Sequence, residues 1–509
     1  MNVIDNKLLS LESFSVLKKK LKKKKIVLCH GVFDLLHIGH INYLESAKKF
    51  GDILIVSITS DKFVNKGPGR PYFSEYKRAK MLLSLKIVNY VIINDSLTAE
   101  NIIRVVKPSF YAKGPDYKNN KNDITKNIYK ETALVKKYKG KIIYTSGEVS
   151  SSSALLKDFY IRENKDQYEY KKMIQNKYSF QFIKNQIEKI SSTRIVALGE
   201  TIIDEYIFSD SIGKSGKEPH LVIKELYSEK YLGGVMAVSK HLEQFCKIIN
   251  IVSFIGDQNS LLKYIKGKLS SVSKLNYIIK KNSPTIIKKR ILDRLTNQKL
   301  LGIYSINERD LDNLELKKLN KILFSKKINK NDLVIITDYG HGFINTNLLK
   351  KLCQKFKNTY LNAQLNASNI GYHSLRNYNN FHSLIVNESE LRHEFKDKSS
   401  SIDDLIKRYS KITKLKNIVV TRGANGVLYF NKASNKIIKC PAFANQIVDK
   451  IGAGDTFLAI FAICDYNKIS PELSIFIASI AAATSVANVG NSKYIEKNLI
   501  LKSIEYFLK

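Results

Sequence analysis

The chain has 509 residues, 44% hydrophobic and 26% charged, a make-up that excludes a disordered chain and suggests about three domains, with two or four also allowed. Its 84 Lys and Arg against 46 acids give a formal charge of +38. The bases are mostly Lys and run along the whole sequence, as a compositional bias would spread them, so a specific nucleic-acid surface is not expected, while a general positive field favours phosphorylated substrates. The five cysteines (29, 246, 353, 440 and 464) are widely spaced, odd in number and without a C-x-x-C pair. That argues against a disulfide framework and a thiolate zinc site, and fits a reducing cytoplasm. The opening MNVIDNKLLS lacks the basic-then-apolar order of a secretion signal. The run Lys18 to Lys25 reads as the solvated end of a helix.

Ile26 to Cys29 reads as a first apolar strand, followed by a turn and a helical pattern over Ile41 to Phe50. Further strands fit Asp52 to Ile58, Tyr90 to Ile93, Phe110 to Ala112 and Lys141 to Tyr144. Apolar strands alternating with helices predict an α/β fold with a doubly wound parallel sheet. Residues 155–190 carry no Gly or Pro and are rich in Lys, Gln, Asn, Glu and Tyr, which predicts connecting helices. A second α/β pattern starts at Thr193 to Gly199 and continues through Ile249 to Ile255, Leu333 to Thr337, Ser383 to Val386 and Ile418 to Thr421. The tail from Gly452 onward is helical by pattern. Leu473 to Gly490 is its longest apolar stretch, but Ser474, Ser479, Thr484, Ser485 and Asn488 interrupt it, so it reads as a buried helix and not as a membrane span. The expected domains are 1–165, a helical linker 166–193, and 194–509. The last exceeds the usual size of one core, which leaves room for a small lid.

Two segments carry chemistry. Gly31-Val32-Phe33-Asp34-Leu35-Leu36-His37-Ile38-Gly39-His40 follows the first strand directly. His37 and His40, three apart at a helix start, share a face. Gly31 and Gly39 let backbone approach a phosphate, and the helix N-terminus adds free N–H groups and a positive dipole. This segment resembles the G-x-F-D-x-x-H-x-G-H signature of cytidylyltransferase-like nucleotidyltransferases. Arg70-Pro71 with Glu75 to Arg78 resembles that family's RP…E-x-x-R segment. Lys113 to Tyr117 resembles the KGxDY segment of heptose-1-phosphate adenylyltransferases, and Val149 to Ser153 a Ser-rich phosphate turn. The resemblance implies attack of a sugar-phosphate oxygen on the α-phosphorus of a nucleoside triphosphate, with His37 and His40 as catalytic donors. It assigns Gly31, Phe33, Asp34, Gly39, Lys66, Arg78, Lys113, Asp116, Ser151, Ser152 and Ser153 to nucleotide and phosphate binding, although Lys66 also reads as part of a surface loop. ATP and CTP both remain open, with KGxDY leaning towards ATP.

The second segment, Asp449-Lys450-Ile451-Gly452-Ala453-Gly454-Asp455-Thr456, precedes an apolar helix. Bare backbone at 452–454 makes an anion hole, and Asp455 reads either as a base taking a proton from an attacking hydroxyl or as the cap of the helix. The segment resembles the D-x-x-G-A-G-D signature of ribokinase/phosphofructokinase-B sugar kinases. Gly199 to Asp204, Gly233-Gly234, Thr337 to Gly342, Asn387 to Glu390 and Thr421 to Gly426 resemble the other landmarks of that family in order. The resemblance implies a ribokinase-like α/β domain with Asp455 catalytic. It places Asp204, Gly233 and Gly234 at the sugar, Thr421, Gly423, Gly426, Gly452, Ala453 and Gly454 at the nucleotide, and Mg²⁺ near Asn387 and Glu390 through water. Both halves together resemble bifunctional heptose kinase/adenylyltransferases with the order inverted, which implies ADP-heptose-type nucleotide-sugar synthesis for surface polysaccharide. The implied partners are sugar phosphates and nucleoside triphosphates, with a homodimer compatible with the family. The sugar side departs from pattern: Val235-Met236-Ala237 stands where a polar Asn is usual, and Asn362-Ala363-Gln364 where Asp-Pro is common. A polyol-phosphate cytidylyltransferase fused to another sugar kinase, or to a non-catalytic kinase-like module, is the alternative.

Overall fold

The computed structural model describes residues 7–21, 23–64, 71–96, 98–114, 127–145, 165–259, 261–366, 368–444 and 447–508. The chain divides into two compact units, Met1–Asn164 and Lys165–Lys509.

Among its described residues the first unit is built on six strands: β1 (Leu8–Leu9), β2 (Ile26–Gly31), β3 (Ile53–Thr59), β4 (Tyr90–Asn94), β5 (Phe110–Lys113) and β6 (Lys141–Tyr144). They lie in the order β1-β4-β3-β2-β5-β6, and every pairing is parallel. Successive residues of β2 face opposite sides: Val27 and Cys29 enter one core, Ile26 and Leu28 the other. Burial on both faces explains why this strand is a continuous apolar run. Strands β3 and β4 extend the sheet on one side of β2, while β5 and β6 extend it on the other. The order therefore switches direction between β2 and β5, and ligands of open α/β sheets bind at the carboxyl ends beside such a switch.

Among its described residues the second unit has thirteen strands: β7 (Arg194–Gly199), β8 (Thr201–Lys214), β9 (Leu221–Gly234), β10 (Ile248–Gly256), β11 (Ser273–Lys280), β12 (Ile286–Asp293), β13 (Lys299–Ser305), β14 (Leu333–Asp338), β15 (Thr359–Ala363), β16 (Ser383–Asn387), β17 (Asn417–Thr421), β18 (Val427–Asn431) and β19 (Lys436–Cys440). Nine form a central sheet, β11-β10-β7-β14-β15-β16-β17-β18-β19, antiparallel only at β17/β18 and β18/β19. The other four form a separate sheet, β13-β12-β8-β9. Only Glu200 separates β7 in the central sheet from β8 in the small one. In β8 and β9 the residues near Glu200 and Gly234 are buried, and those towards the hairpin tip are exposed. Register shifts interrupt the pair at Phe208/Ser209 and Ser211/Gly213.

Helices Lys165–Lys177 and Phe180–Lys189, in the stretch expected to be a linker, pack into the second unit: Ile174, Ile183 and Ile187 belong to its core beside Phe457 and Phe476. Helix Pro471–Ser485, within the apolar stretch from Leu473, is buried along twelve of its residues in the same core. No helix among the described residues is long and apolar enough to cross a membrane. All five cysteines are free.

Candidate active sites

Strand β2 ends at Gly31, and helix Ile38–Lys48 begins seven residues later. Between them Phe33 (φ 50°) and Leu35 (φ 54°) adopt the left-handed backbone that such side chains avoid. Strain of this kind, of order 1–3 kcal/mol per residue, persists where the surroundings enforce it, typically at binding loops. His37 is the N-cap of the helix, and its Nδ1 accepts the Gly39 N–H at 3.1 Å. In the neutral ring that acceptor role leaves the proton on Nε2, which becomes a donor. The rings of His37 and His40 lie 4.0 Å apart, with Phe33 5.3 Å from His40. The histidine pair thus sits at the carboxyl end of β2, on the side where the sheet order switches.

Three nearby residues expected at the nucleotide already have partners within the protein. The Arg78 guanidinium is fully buried. It donates to the carbonyls of Phe73, Val32 and Thr59 at 2.9, 2.6 and 2.9 Å and to Asp61 Oδ1 at 2.6 Å. With four protein acceptors and no exposure it holds neighbouring segments together. The Asp34 carboxylate, equally buried, would repel a phosphate. It accepts the N–H groups of Tyr72 and Phe73 at 2.8 and 3.0 Å and pins the segment after Pro71. Lys113, at the end of β5, is paired with Glu131 at 2.7 Å, and the Tyr111 hydroxyl donates to the same carboxylate at 3.1 Å. Its charge is therefore balanced inside the unit. Lys66, Asp116, Ser151, Ser152 and Ser153 lie outside the described residues.

In the second unit, Gly452 (φ 84°) is the N-cap of helix Ala453–Tyr466. This φ and the closeness of Asn491 Oδ1, into which a Cβ would run, both require glycine. Ala453 and Gly454 form the first turn, and Asp455 follows at its third position. Asp455 is thus not the cap; its Oδ1 accepts the Tyr339 hydroxyl at 2.7 Å. Burial pushes its carboxyl up to about 6, the Tyr339 hydrogen bond opposes this, the Asp204 charge adds to it and Lys288 opposes it. A carboxylate poised there is ionised at neutral pH yet basic enough to take a proton.

Asp204 on β8 pairs with Arg290 on β12 at 2.5 Å, both nearly buried. Gly233 passes directly over the Asp204 carboxylate, where a Cβ would collide with it. Lys288, two residues before Arg290, places its ammonium 5.6 Å above the Tyr339 ring. Gly234 caps helix Val235–Leu242, whose Val235, Met236 and Ala237 are completely buried. The place where a polar Asn is usual is therefore filled by apolar core side chains, which carry no hydrogen-bonding group.

Glu200 fixes the turn after β14. Its carboxylate accepts the N–H groups of Tyr339 and His341, both at 3.2 Å, and burial followed by the Asp338 charge holds its proton more tightly than usual. His341 is buried, and its pKa is pushed down to about 3 by burial and by Lys288 and Lys280, so the ring is neutral. Thr421 ends β17, and Gly423 (φ 56°) and Gly426 (φ 78°) bound the short helical turn after it.

Asn387 and Glu390 form a capping box at helix Glu388–Phe395. Asn387 Oδ1 accepts Ser389 N–H at 2.9 Å, while Glu390 accepts Asn387 N–H at 2.6 Å and Leu365 N–H at 3.2 Å. Burial pushes Glu390 up to about 7, and the N–H groups of Asn387 and Leu365 oppose this. Both oxygens of this buried carboxylate already accept backbone N–H groups, which suits a hydrated cation brought in with the nucleotide, contacted through water, better than direct ligation.

Residues 192–498 match the pfkB family of carbohydrate kinases. The chain belongs to that family. Ahead of the kinase match, residues 28–198 match the cytidylyltransferase-like family. Among curated proteins, the bifunctional protein HldE of Nitratiruptor sp. is 42% identical over 134 residues, 26% of this chain and 29% of the relative. HldE of Helicobacter pylori strain P12 is 44% identical over 137 residues, 26% and 29% of the two chains. The matched stretch is the N-terminal part, and the chain covers less than a third of the length of these relatives. Two solved structures share the kinase fold. Escherichia coli phosphofructokinase-2 in complex with potassium has a TM-score of 0.50 at 14% identity, over 63% of this chain and 100% of that one. Ribokinase from Giardia lamblia has a TM-score of 0.50 at 15% identity, over 62% and 100%. Within the pfkB kinase unit, sequence reasoning gave no role to Glu200, Lys288, Arg290 or Tyr339. The available signal was the two-residue spacing of Lys288 and Arg290, which puts both on one face of β12.

Proposed function

We propose that the chain is a bifunctional transferase in which the pfkB unit phosphorylates a sugar or sugar phosphate and the N-terminal unit joins a sugar 1-phosphate to a nucleotide, making an ADP-heptose-type product. The observation that carries the reading is Asp455, held beside the bare backbone of Gly452 to Gly454 at a helix start, in the same chain as the His37–His40 pair at a sheet switch. In the kinase step Asp455 takes the proton of the acceptor hydroxyl, the acceptor oxygen bonds to the γ-phosphorus, and ADP leaves with the bridging electron pair. The N–H groups at 452–454 receive the charge on the transferring group. Asp204 with Gly233 and Gly234 lies on the sugar side, and Thr421, Gly423 and Gly426 on the nucleotide side. Asn387 and Glu390 would hold Mg²⁺ through water; when bound, it neutralises charge on the triphosphate.

In the nucleotidyl step a phosphate oxygen of the sugar 1-phosphate attacks the α-phosphorus and pyrophosphate leaves. The His37 Nε2 donor and His40 stabilise the crowded phosphorus, and no covalent enzyme intermediate is required. Free cysteines support action in a reducing cytoplasm. The test is pyrophosphate release by the purified chain, with ATP and CTP each offered heptose 1-phosphate and glycerol 3-phosphate. Release with ATP and heptose 1-phosphate is expected; release only with CTP and the polyol phosphate sinks the ADP-heptose reading.

A further inference from the structure

Tyr339 is fixed from several sides. Its N–H is held by Glu200 at 3.2 Å, and its carbonyl accepts Asn366 Nδ2 at 2.7 Å and Asn369 Nδ2 at 3.0 Å. Its ring is buried, with the Lys288 ammonium over one face. What emerges from this fixed frame is one hydroxyl, 2.7 Å from Asp455 Oδ1. No other hydrogen bond to the Asp455 side chain is made among the described residues, so the phenol alone orients the carboxylate.

We infer that Tyr339 is the positioning residue of the kinase site: by donating to Oδ1 of Asp455 it turns Oδ2 towards the acceptor hydroxyl and keeps the base ionised. This rests on the phosphoryl-transfer reading above. The proton of the acceptor hydroxyl goes to Oδ2, the new oxygen–phosphorus bond forms, and the bond from the γ-phosphorus to the bridging oxygen breaks with its electrons leaving on ADP. Tyr339 keeps its own proton throughout, because burial and the Asp455 charge push its ionisation far up. The charged groups that face this pair are Asp204 on β8, Lys288 on β12 and Glu200 between β7 and β8; Arg290 on β12 acts on Lys288 and is itself paired with Asp204. Of the influences on Asp455, the phenol is the largest that opposes burial.

The experiment uses the full chain as wild type, Tyr339→Phe, Asp455→Asn and the double variant. The folded-state pKa of Asp455 is raised, so its contribution to stability is present at low pH and is lost as pH rises through about 6. Removing the phenol raises that pKa further. Tyr339→Phe therefore loses more melting temperature between about pH 5 and about pH 8 than wild type does, and the excess disappears in the Asp455→Asn background. In parallel, ADP release from MgATP with a heptose phosphate as acceptor follows kcat against pH. The acid limb of Tyr339→Phe moves up by about one pH unit, a tenfold change in ionised base, while KM for the acceptor moves less.

An equal loss of melting temperature at both pH values, in both backgrounds, overturns the positioning role, because packing alone gives that result. A pH-dependent melting effect with an unmoved kcat limb overturns its part in catalysis. If the melting result holds while wild type releases no ADP with any acceptor, the phosphoryl-transfer reading fails and the Tyr339–Asp455 coupling stands.

Discussion

At the N-terminal site, Arg78 and Lys113 are engaged by the protein's own carbonyls and carboxylates. At the kinase site, Lys288 is just as buried, yet it has an aromatic face beneath it and no acceptor among the described residues. Asp34 and Asp455 differ in the same way: the first holds two backbone N–H groups of a loop, the second a single phenol. A residue can thus belong to a signature either because it touches the ligand or because it holds the loop that does. The number of protein partners it already has separates the two cases.

That difference orders the expected effects of substitution. Asp455→Asn removes the base and should cut sugar phosphorylation by roughly 10³-fold while leaving pyrophosphate release unchanged. His40→Ala should do the converse, lowering pyrophosphate release by roughly 10²-fold and sparing ADP release. Loss of both activities from either change in a folded protein would break the comparison of two independent sites. Arg78→Ala leaves three carbonyls without a donor, so the first unit should lose about 3 kcal/mol in denaturant unfolding while the kinase rate holds. A triphosphate contact would instead raise KM for the nucleotide with stability intact. Asn387→Ala removes one side of a capping box and should cost about 1 kcal/mol in the same measurement, the smallest of the four effects.

Strands buried on both faces were legible in the sequence: Ile26 to Cys29, Tyr90 to Ile93 and Leu333 to Thr337 each read as short apolar runs because both sides of each sheet are covered. The small sheet was not. Its Leu221–Gly234 strand mixes Glu, Lys, Ser and Tyr along an exposed stretch and has no clean alternation to detect. Of the candidate sites, the places of His37, His40 and Asp455 at helix starts could be read from glycine and histidine spacing. The Asp455–Tyr339 bond could not, since 116 residues separate its partners. Nor could the work of Arg78, whose carbonyl acceptors lie just after β2, at the end of β3 and just before its own helix, segments that only the folded chain brings together.

The single residue between β7 and β8 ties the small sheet to the central one. Amide hydrogens of Thr201 to Phe208 sit in buried strand continuous with the sheet interior, whereas those beyond the irregularity at Ser209 lie in exposed hairpin. Deuterium uptake should therefore change abruptly near Ser209: slow, globally limited exchange on the Glu200 side and fast, locally limited exchange towards the tip. A ligand that draws the small sheet over Asp455 would carry this frontier outward along β8 and β9, giving a direct view of closure in a chain that has no tryptophan to report it.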